Sequence, residues 1–258
     1  MIMKIIENID ALLIDLEGVL YSDNQLITGS IDVIKELKKE GIKLRFLTNT
    51  TTAPRKIILD KLINFGFDVQ ENEIFTPIIA TKNYLRDNAV KKISLVTNIE
   101  IIEEFNEYEI TQKDPKAVIM GDIHKNFNWE ILDQIFKLVY VNNAALIALH
   151  QNKYCIREGK VSLDLGPFVK AVEYASNKKS ILMGKPEKNF FEMAIKDMEI
   201  SKDVVLMIGD DIISDIKGAK DFGIKTIQVK TGKFQLEDCS DKFLQPDKRI
   251  DSIADLIK

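Results

Sequence analysis

The chain has 258 residues, 45% of them hydrophobic and 29% charged, with a formal net charge of -4 at pH 7. That length suits one large or two small domains, and the apolar share excludes wholesale disorder. The slight acidity, with both signs mixed along the chain, speaks against nucleic acid, whose binders carry a basic face. No run approaches the roughly 20 apolar residues of a membrane span. No long apolar stretch precedes Glu7, Asp10 and Asp15, which argues against a signal peptide. Cys155 and Cys239 form no CxxC pair and read as two free thiols. A soluble cytoplasmic protein with no membrane partner is expected.

The first predicted strand is Ala11-Leu12-Leu13-Ile14-Asp15, an apolar run ended by a carboxylate and followed by Gly18. The carboxyl end of a buried strand is where open α/β sheets place their chemistry. Asp15 and Glu17 would share a face if the strand continued, but the glycine says that the chain turns. A free carboxylate is a competent phosphoryl acceptor; a plain turn aspartate fits this segment equally well. Ser30 is expected to cap a helix over about 31–40, stopped by Gly41. Ile42 to Leu47 reads as a second strand. It ends in Thr48-Asn49, whose hydroxyl and amide suit a phosphate oxygen and equally suit capping ahead of Pro54. Helices follow from Pro54 to Phe65 and from Thr76-Pro77 to about Asn88. Such alternation predicts right-handed βαβ units and a parallel sheet.

Residues 90–179 hold their own strands, Ile93–Thr97, Ala117–Met120 and Ala145–Leu149, a helix near 129–140 and another after Pro167. That is enough for a small inserted α/β domain, with 1–89 and 180–258 forming one core. Trp129 and the Phe/Leu stripe after it read as core at helical spacing. His124 and His150 lack metal spacing and read as surface or packing residues. Lys153 and Arg157 are basic enough to meet an anionic substrate, or are simply solvated.

In the last third, Gly184-Lys185-Pro186 places a lysine before a helix expected from Pro186 to about Met198. A lysine there balances a phosphate and a carboxylate held together, although lysines are ordinarily solvated. Val204 to Ile208 is a nearly pure apolar strand. Gly209-Asp210-Asp211-Ile212-Ile213-Ser214-Asp215 then sets three acids within six positions. Left uncompensated they repel, and a hard cation with oxygen ligands, magnesium above all, resolves this. A helix N-terminus explains one of the three. A helix to about Phe222, a strand Ile224–Val229, Thr231-Gly232 and a short closing helix over 250–257 complete the chain.

Four polar constellations, each at a strand end or a helix start, are the discriminating feature. Together they resemble the haloacid dehalogenase-like superfamily, in particular its capped type IIA branch of phosphatases, over almost the full length. Asp15-Leu16-Glu17-Gly18-Val19-Leu20, Leu47-Thr48-Asn49, Gly184-Lys185-Pro186, and Gly209-Asp210-Asp211 with Asp215 are similar to its four motifs. Further strings, among them Asn72-Glu73-Ile74-Phe75-Thr76 and Val229-Lys230-Thr231-Gly232-Lys233, resemble the subgroup around phospholysine phosphohistidine inorganic pyrophosphate phosphatase.

The resemblance implies an α/β fold: a doubly wound parallel sheet (a Rossmann-like core) with an inserted smaller α/β cap that sets substrate specificity. It implies a Mg2+-dependent phosphatase in which Asp15 attacks phosphorus and becomes an aspartyl phosphate. Mg2+ would be held by Asp15, the Glu17 main-chain carbonyl and Asp210, with Asp211 and Asp215 in support. Thr48, Asn49 and Lys185 would hold the phosphoryl oxygens. The chain departs from the family pattern at Glu17, where most members carry an acid/base aspartate. Glutamate reaches about 1.5 Å further, and misplacement of about 1 Å can cost about 100-fold, so a slow enzyme is expected. The competing reading is a phosphate-binding or regulatory protein with little turnover. The expected partner is a small phosphorylated metabolite, and a homodimer through the cap is a further expectation from relatives.

Overall fold

The structure, a computed structural model, describes residues 6, 8–157, 160–239 and 244–257. The chain divides into two compact units, residues 1–48, 55–75 and 185–258 in the first, and 49–54 and 76–184 in the second.

In the first unit the chain forms β1 (Ala11–Asp15), a hairpin of β2 (Tyr21–Ser22) and β3 (Gln25–Leu26), α1 (Ser30–Lys39), β4 (Lys43–Leu47), α2 (Arg55–Phe65) and β5 (Ile74–Phe75). The second unit runs through α3 (Pro77–Asp87), β6 (Lys92–Val96), α4 (Ile99–Ile102), β7 (Glu109–Ile110), β8 (Ala117–Met120) and α5 (Trp129–Tyr140). It continues with β9 (Ala145–Ala148), β10 (Tyr154–Arg157), β11 (Lys160–Leu163), α6 (Leu165–Ser176) and β12 (Ile181–Leu182). The first unit is completed by α7 (Lys188–Lys196), β13 (Val205–Gly209), a π-helical turn (Ile212–Lys217), α8 (Gly218–Phe222), β14 (Lys225–Val229) and β15 (Lys248–Ile250).

The main sheet has the order β15-β14-β13-β1-β4-β5, with parallel pairing throughout. β1 lies inside the sheet between β13 and β4 and is buried at all five positions, so both of its faces are covered. That is why its sequence is a solid apolar run rather than an alternation. The chain winds outward from β1 through β4 to β5, then returns beside β1 with β13 and winds the other way to β15. This reversal between β1 and β13 is the switch point at which doubly wound sheets open a crevice beyond the strand ends. Asp15 and Gly209 are the last residues of those two strands.

The second unit has a parallel sheet of its own, ordered β12-β9-β8-β6-β7, and an antiparallel hairpin, β10–β11. Its core joins Val118, Met120 and Leu146 of the sheet to Ile135, Leu138 and Val139 of α5 and to Val169 of α6. The α/β class, the parallel sheet and the inserted second domain all agree with the sequence. The second compact unit spans 49–54 and 76–184, and the insert expected over 90–179 lies within it. Helix α3 belongs to the insert through Lys82, whose carbonyl accepts the Tyr108 hydroxyl at 3.2 Å and whose ammonium lies 3.6 Å from Glu107.

Several local expectations are corrected. Trp129 is 73% exposed rather than core. Tyr140 is exposed as well and Phe136 is half-buried, while Ile135, Leu138 and Val139 join the core with the sheet. The cap of α1 is Gly29, at φ 82°, and the hydroxyl of Ser30, inside the helix, has no partner. Helix α7 begins at Lys188 behind Glu187, and α6 begins at Leu165, capped by Asp164, whose Oδ1 accepts the Leu165 N–H at 2.8 Å. The short closing helix expected over 250–257 is a 3-10 helix over Ile253–Ile257, and it starts later than expected because Ile250 pairs with Val229 as the end of β15. His124 is about half exposed beside Asp122, and His150 is buried 3.7 Å from Asp164. Lys153 is exposed, and the Arg157 side chain lies outside the described residues. Cys155 and Cys239 form no disulfide. Among the described residues no helix is long and apolar enough to cross a membrane.

Candidate active site

At the switch point, Asp15 ends β1, and Asp210 follows the last residue of β13. The Lys185 ammonium lies between two carboxylates, 2.5 Å from Asp15 Oδ1 and 2.6 Å from Asp215 Oδ1. Carboxylate oxygens of Asp15, Asp210 and Asp215 all come within 4.8 Å of one another. All three side chains and Lys185 are buried. The wide π turn accounts for part of this. Asp211 Oδ1 caps it by accepting the N–H groups of Ile213 at 2.9 Å and Ser214 at 3.0 Å. Asp215, four residues on, turns inward with no exposed surface, and its Oδ2 accepts the Asp211 N–H at 3.2 Å. π turns of this kind often mark functional positions.

Charge dominates this cluster. Burial pushes the Asp15 carboxyl up to about 6, with Lys185 opposing and Asp210 adding to the rise. Burial, and then the neighbouring Asp215 charge, likewise raises Asp210 to about 6. Asp215 also stands at about 6, raised by burial against the pull of Lys185. Burial alone would depress the Lys185 ammonium, but Asp15 and Asp215 together hold it above its ordinary value. Three carboxylates around one ammonium leave two negative charges uncompensated when all are ionised, so the groups titrate as a set. Asp211 behaves differently. Burial would raise it, but the Ser214 N–H and the Lys233 charge hold it below the carboxylate range. Oxygen-only donors with surplus negative charge fit a hard divalent cation that retains water, as Mg2+ does.

The structure adds a loop that sequence reasoning did not place in the site. The Lys233 N–H donates to Asp210 Oδ2 at 2.6 Å, and its ammonium lies 3.4 Å from Asp211. The Thr231 hydroxyl donates to the Gly18 carbonyl. Gly18 and Gly232 stand at φ 89° and 62°, and a Cβ on either would clash with Asp210 Oδ2. The Asp210 carboxylate therefore sits in a cradle of two glycines, with one oxygen already committed to the backbone. Thr231-Gly232 after an apolar strand was the available signal. Gly232→Ala is expected to cost about 2 kcal/mol or more, since strain at positive φ adds to the clash. Urea denaturation measures this; a change under 0.5 kcal/mol would show that the cradle is loose.

Thr48 is buried at the end of β4, on the same sheet edge as Asp15, and its N–H donates to the Phe75 carbonyl at 3.2 Å. Asn49 falls in the second unit and is not among the residues that the first unit gathers. The Glu17 side chain is exposed, and its Oε1 accepts the Asp23 N–H at 2.6 Å. The first unit thus brings together Asp15, Lys185, Asp210 and Asp215, with Asp211 holding the turn that carries Asp215.

Residues 12–111 match the family described as haloacid dehalogenase-like hydrolase, and residues 182–256 match a HAD-hydrolase-like family. Haloacid dehalogenase-like hydrolase domain-containing protein 2 of Mus musculus is 36% identical over 228 residues, 88% of this chain and 86% of the relative. Phospholysine phosphohistidine inorganic pyrophosphate phosphatase of Xenopus laevis is 34% identical over 250 residues, 95% of this chain and 92% of the relative. Among solved structures, 4-nitrophenylphosphatase from Thermotoga maritima aligns with a TM-score of 0.88 at 25% identity, covering 98% of each chain. NagD from E. coli K-12 aligns at 0.86 and 25%, covering 95% of this chain and 97% of its own. With this agreement of motifs, sheet order and relatives, the chain belongs to the haloacid dehalogenase-like hydrolase family of enzymes.

Proposed function

We propose that this protein is a Mg2+-dependent phosphatase that hydrolyses small phosphate esters through an aspartyl-phosphate intermediate on Asp15. The observation that carries the reading is the buried Asp15–Lys185–Asp215 chain, with Asp210 beside it, at the switch point of the main sheet. Relatives named for phospholysine, phosphohistidine, pyrophosphate and 4-nitrophenyl phosphate support a small phosphorylated substrate.

In this reading one oxygen of Asp15 bonds to phosphorus while the bond from phosphorus to the leaving oxygen breaks, and the leaving group takes that electron pair. Lys185, held in place by Asp215, balances the charge of the phosphoryl group, and Thr48 binds one of its oxygens. Asp15, the Glu17 carbonyl and Asp210 would hold Mg2+, with Asp211 and Asp215 in support; the ion supplies charge neutralisation in a loose transition state. Water then attacks the aspartyl phosphate, the phosphorus–Asp15 bond breaks and the carboxylate is restored. Positioning and electrostatics thus carry most of the rate. The reading also includes a cytoplasmic location and a homodimer through the inserted domain. That domain exposes Trp129, Tyr140 and Tyr174, aromatic side chains of the type enriched at interfaces.

The test is hydrolysis of 4-nitrophenyl phosphate with Mg2+ and with EDTA. Removal of the ion is expected to cost about 100-fold or more, the several kcal/mol of a Lewis acid. No turnover in either condition would favour a phosphate-binding protein instead. Mg2+ is also expected to raise the melting temperature at pH 7.5 by about 5–10 °C at 100 times its Kd. The rise should shrink at pH 5, because carboxyls raised to about 6 are then largely protonated and must lose those protons to bind a cation. An equal rise at both values would place the ion elsewhere.

A further inference from the structure

The hairpin β2–β3 begins four residues after Glu17, at Tyr21, and one residue in its turn is gripped from two directions. Asp23 adopts a left-handed conformation at φ 53°. Its N–H donates to Glu17 Oε1 at 2.6 Å, while its carbonyl accepts the Lys61 ammonium at 3.0 Å. Lys61, on α2, also lies 4.1 Å from the centre of the Tyr21 ring, which packs against Phe65 at 5.3 Å. The Gly18 N–H closes the loop by donating to the Tyr21 carbonyl at 2.7 Å. Glu17 is thereby the near-side anchor of the hairpin, and Lys61 is the far-side one. Its carboxylate is exposed, in contrast to the buried carboxylates of Asp15, Asp210 and Asp215.

A charge-assisted bond at 2.6 Å is at the strong end of its class. A general acid, by contrast, must lie within hydrogen-bond reach of the leaving oxygen. The extra methylene of glutamate over aspartate is what lets the side chain span from position 17 to the peptide of Asp23. We infer that the Glu17 carboxylate serves as the turn cap of this hairpin and not as the acid of the reaction. Turnover is then confined to phosphate groups whose leaving group departs without a proton from the protein. This rests on the phosphatase reading above and narrows its substrate class to esters and anhydrides of weakly basic leaving groups.

The chemistry balances without an acid. As the Asp15 oxygen bonds to phosphorus, a phenolate or carboxylate leaves with the electron pair of the broken P–O bond and remains an anion. An alkoxide is too basic to leave in that way. In the second step the proton of the attacking water passes to the phosphate product or to solvent.

The test is a series of substituted phenyl phosphates of rising phenol basicity, ended by an alkyl phosphate, run on the full chain with Mg2+. Wild type is expected to lose about 10²–10⁴-fold in kcat/KM from the best leaving group to the alkyl ester, the size of a missing general acid. Glu17→Gln keeps an oxygen for the Asp23 N–H and removes the acid; its slope against leaving-group basicity is expected to match the wild-type slope. Glu17→Asp is too short to reach Asp23, and its freed carboxyl should flatten the slope. A shallow wild-type slope that steepens in Glu17→Gln would overturn the inference. Amide hydrogen exchange at Asp23 gives an independent readout. It should quicken in Glu17→Ala and stay slow in Glu17→Gln; no change in Glu17→Ala would also overturn it. Absence of aryl phosphate hydrolysis in wild type is a separate result, which defeats the phosphatase reading itself.

Discussion

Asp15→Asn is expected to lower turnover of 4-nitrophenyl phosphate by about 10³-fold or more, the usual consequence of removing a nucleophile. A carboxamide oxygen is nearly isosteric with the carboxylate oxygen that lies 2.5 Å from Lys185, but it is a poor nucleophile for phosphorus. The loss should therefore appear in kcat, with KM little changed. Wild type quenched in acid during turnover should carry a phosphoryl adduct on the peptide containing Asp15, and the variant should carry none. Activity that survives the substitution would remove Asp15 from the chemistry. Stability should move the other way. The Asp15 carboxyl stands at about 6 in the folded chain, above its ordinary value of 3.8. The folded state thus binds this proton more tightly than the unfolded state, and ionising the group as pH rises towards 6 costs stability. With EDTA present at pH 7.5, the asparagine variant should melt no lower than wild type, and any gain should vanish near pH 4. A variant that melts well below wild type at pH 7.5 would mean that the ion pair with Lys185 outweighs the cost of burial.

Lys185→Ala carries the largest expected loss of stability. Its ammonium is the buried cation that contacts both Asp15 and Asp215. Removing one partner from a buried ion pair typically costs about 3–5 kcal/mol, because the remaining charge is left unpaired. For a chain of this size that is about 6–20 °C in melting temperature. The loss should depend on pH with a definite sign. With Lys185 in place, burial holds Asp15, Asp210 and Asp215 at about 6, and loss of the ammonium removes a pull that lowers all three. Their folded forms take up protons more readily than the unfolded chain, so the penalty is present above about pH 6 and falls as pH drops below it. Urea denaturation at pH 7.5 and pH 5, both in EDTA, measures the difference. Equal losses at the two values would trace the defect to lost packing by the lysine stem rather than to charge.

The parts of the site that were legible in the sequence are those set by strong local constraints. Asp15 and Asp210 were visible because each stands at the end of an apolar strand buried on both faces, and because the four polar constellations recur together where a lone turn aspartate would not. Asp215 was visible only as one of three crowded acids. Lys185 carried little weight alone, since an isolated lysine is ordinarily solvated; its burial between two carboxylates is a contact across 170 and 30 residues of chain. The loop from Thr231 to Lys233 was missed as part of the site for the same reason. It acts through main-chain groups and through the absence of two side chains, neither of which leaves a chemical signature in a sequence.

Propensity failed where tertiary contacts outbid it. Trp129 begins a helix with two apolar stripes, and periodicity does not say which of them meets the sheet. Ile250 was assigned to a helix, yet its pairing with Val229 makes it the edge of the sheet. Glu17 is the sharpest case. Its residue type and position suggested a misfitting acid, and the fold shows its carboxylate on the Asp23 N–H of a two-residue-per-strand hairpin too short to announce itself. By itself the sequence determined the α/β class, the insertion, the four polar constellations and the identity of the strand-end acids, because burial patterns and helix signals are local. Only the tertiary structure decided which acids converge, which carboxylate oxygens are already taken and where the Glu17 side chain is bound. Those depend on strand order and on distances of a few ångströms between residues far apart in the chain.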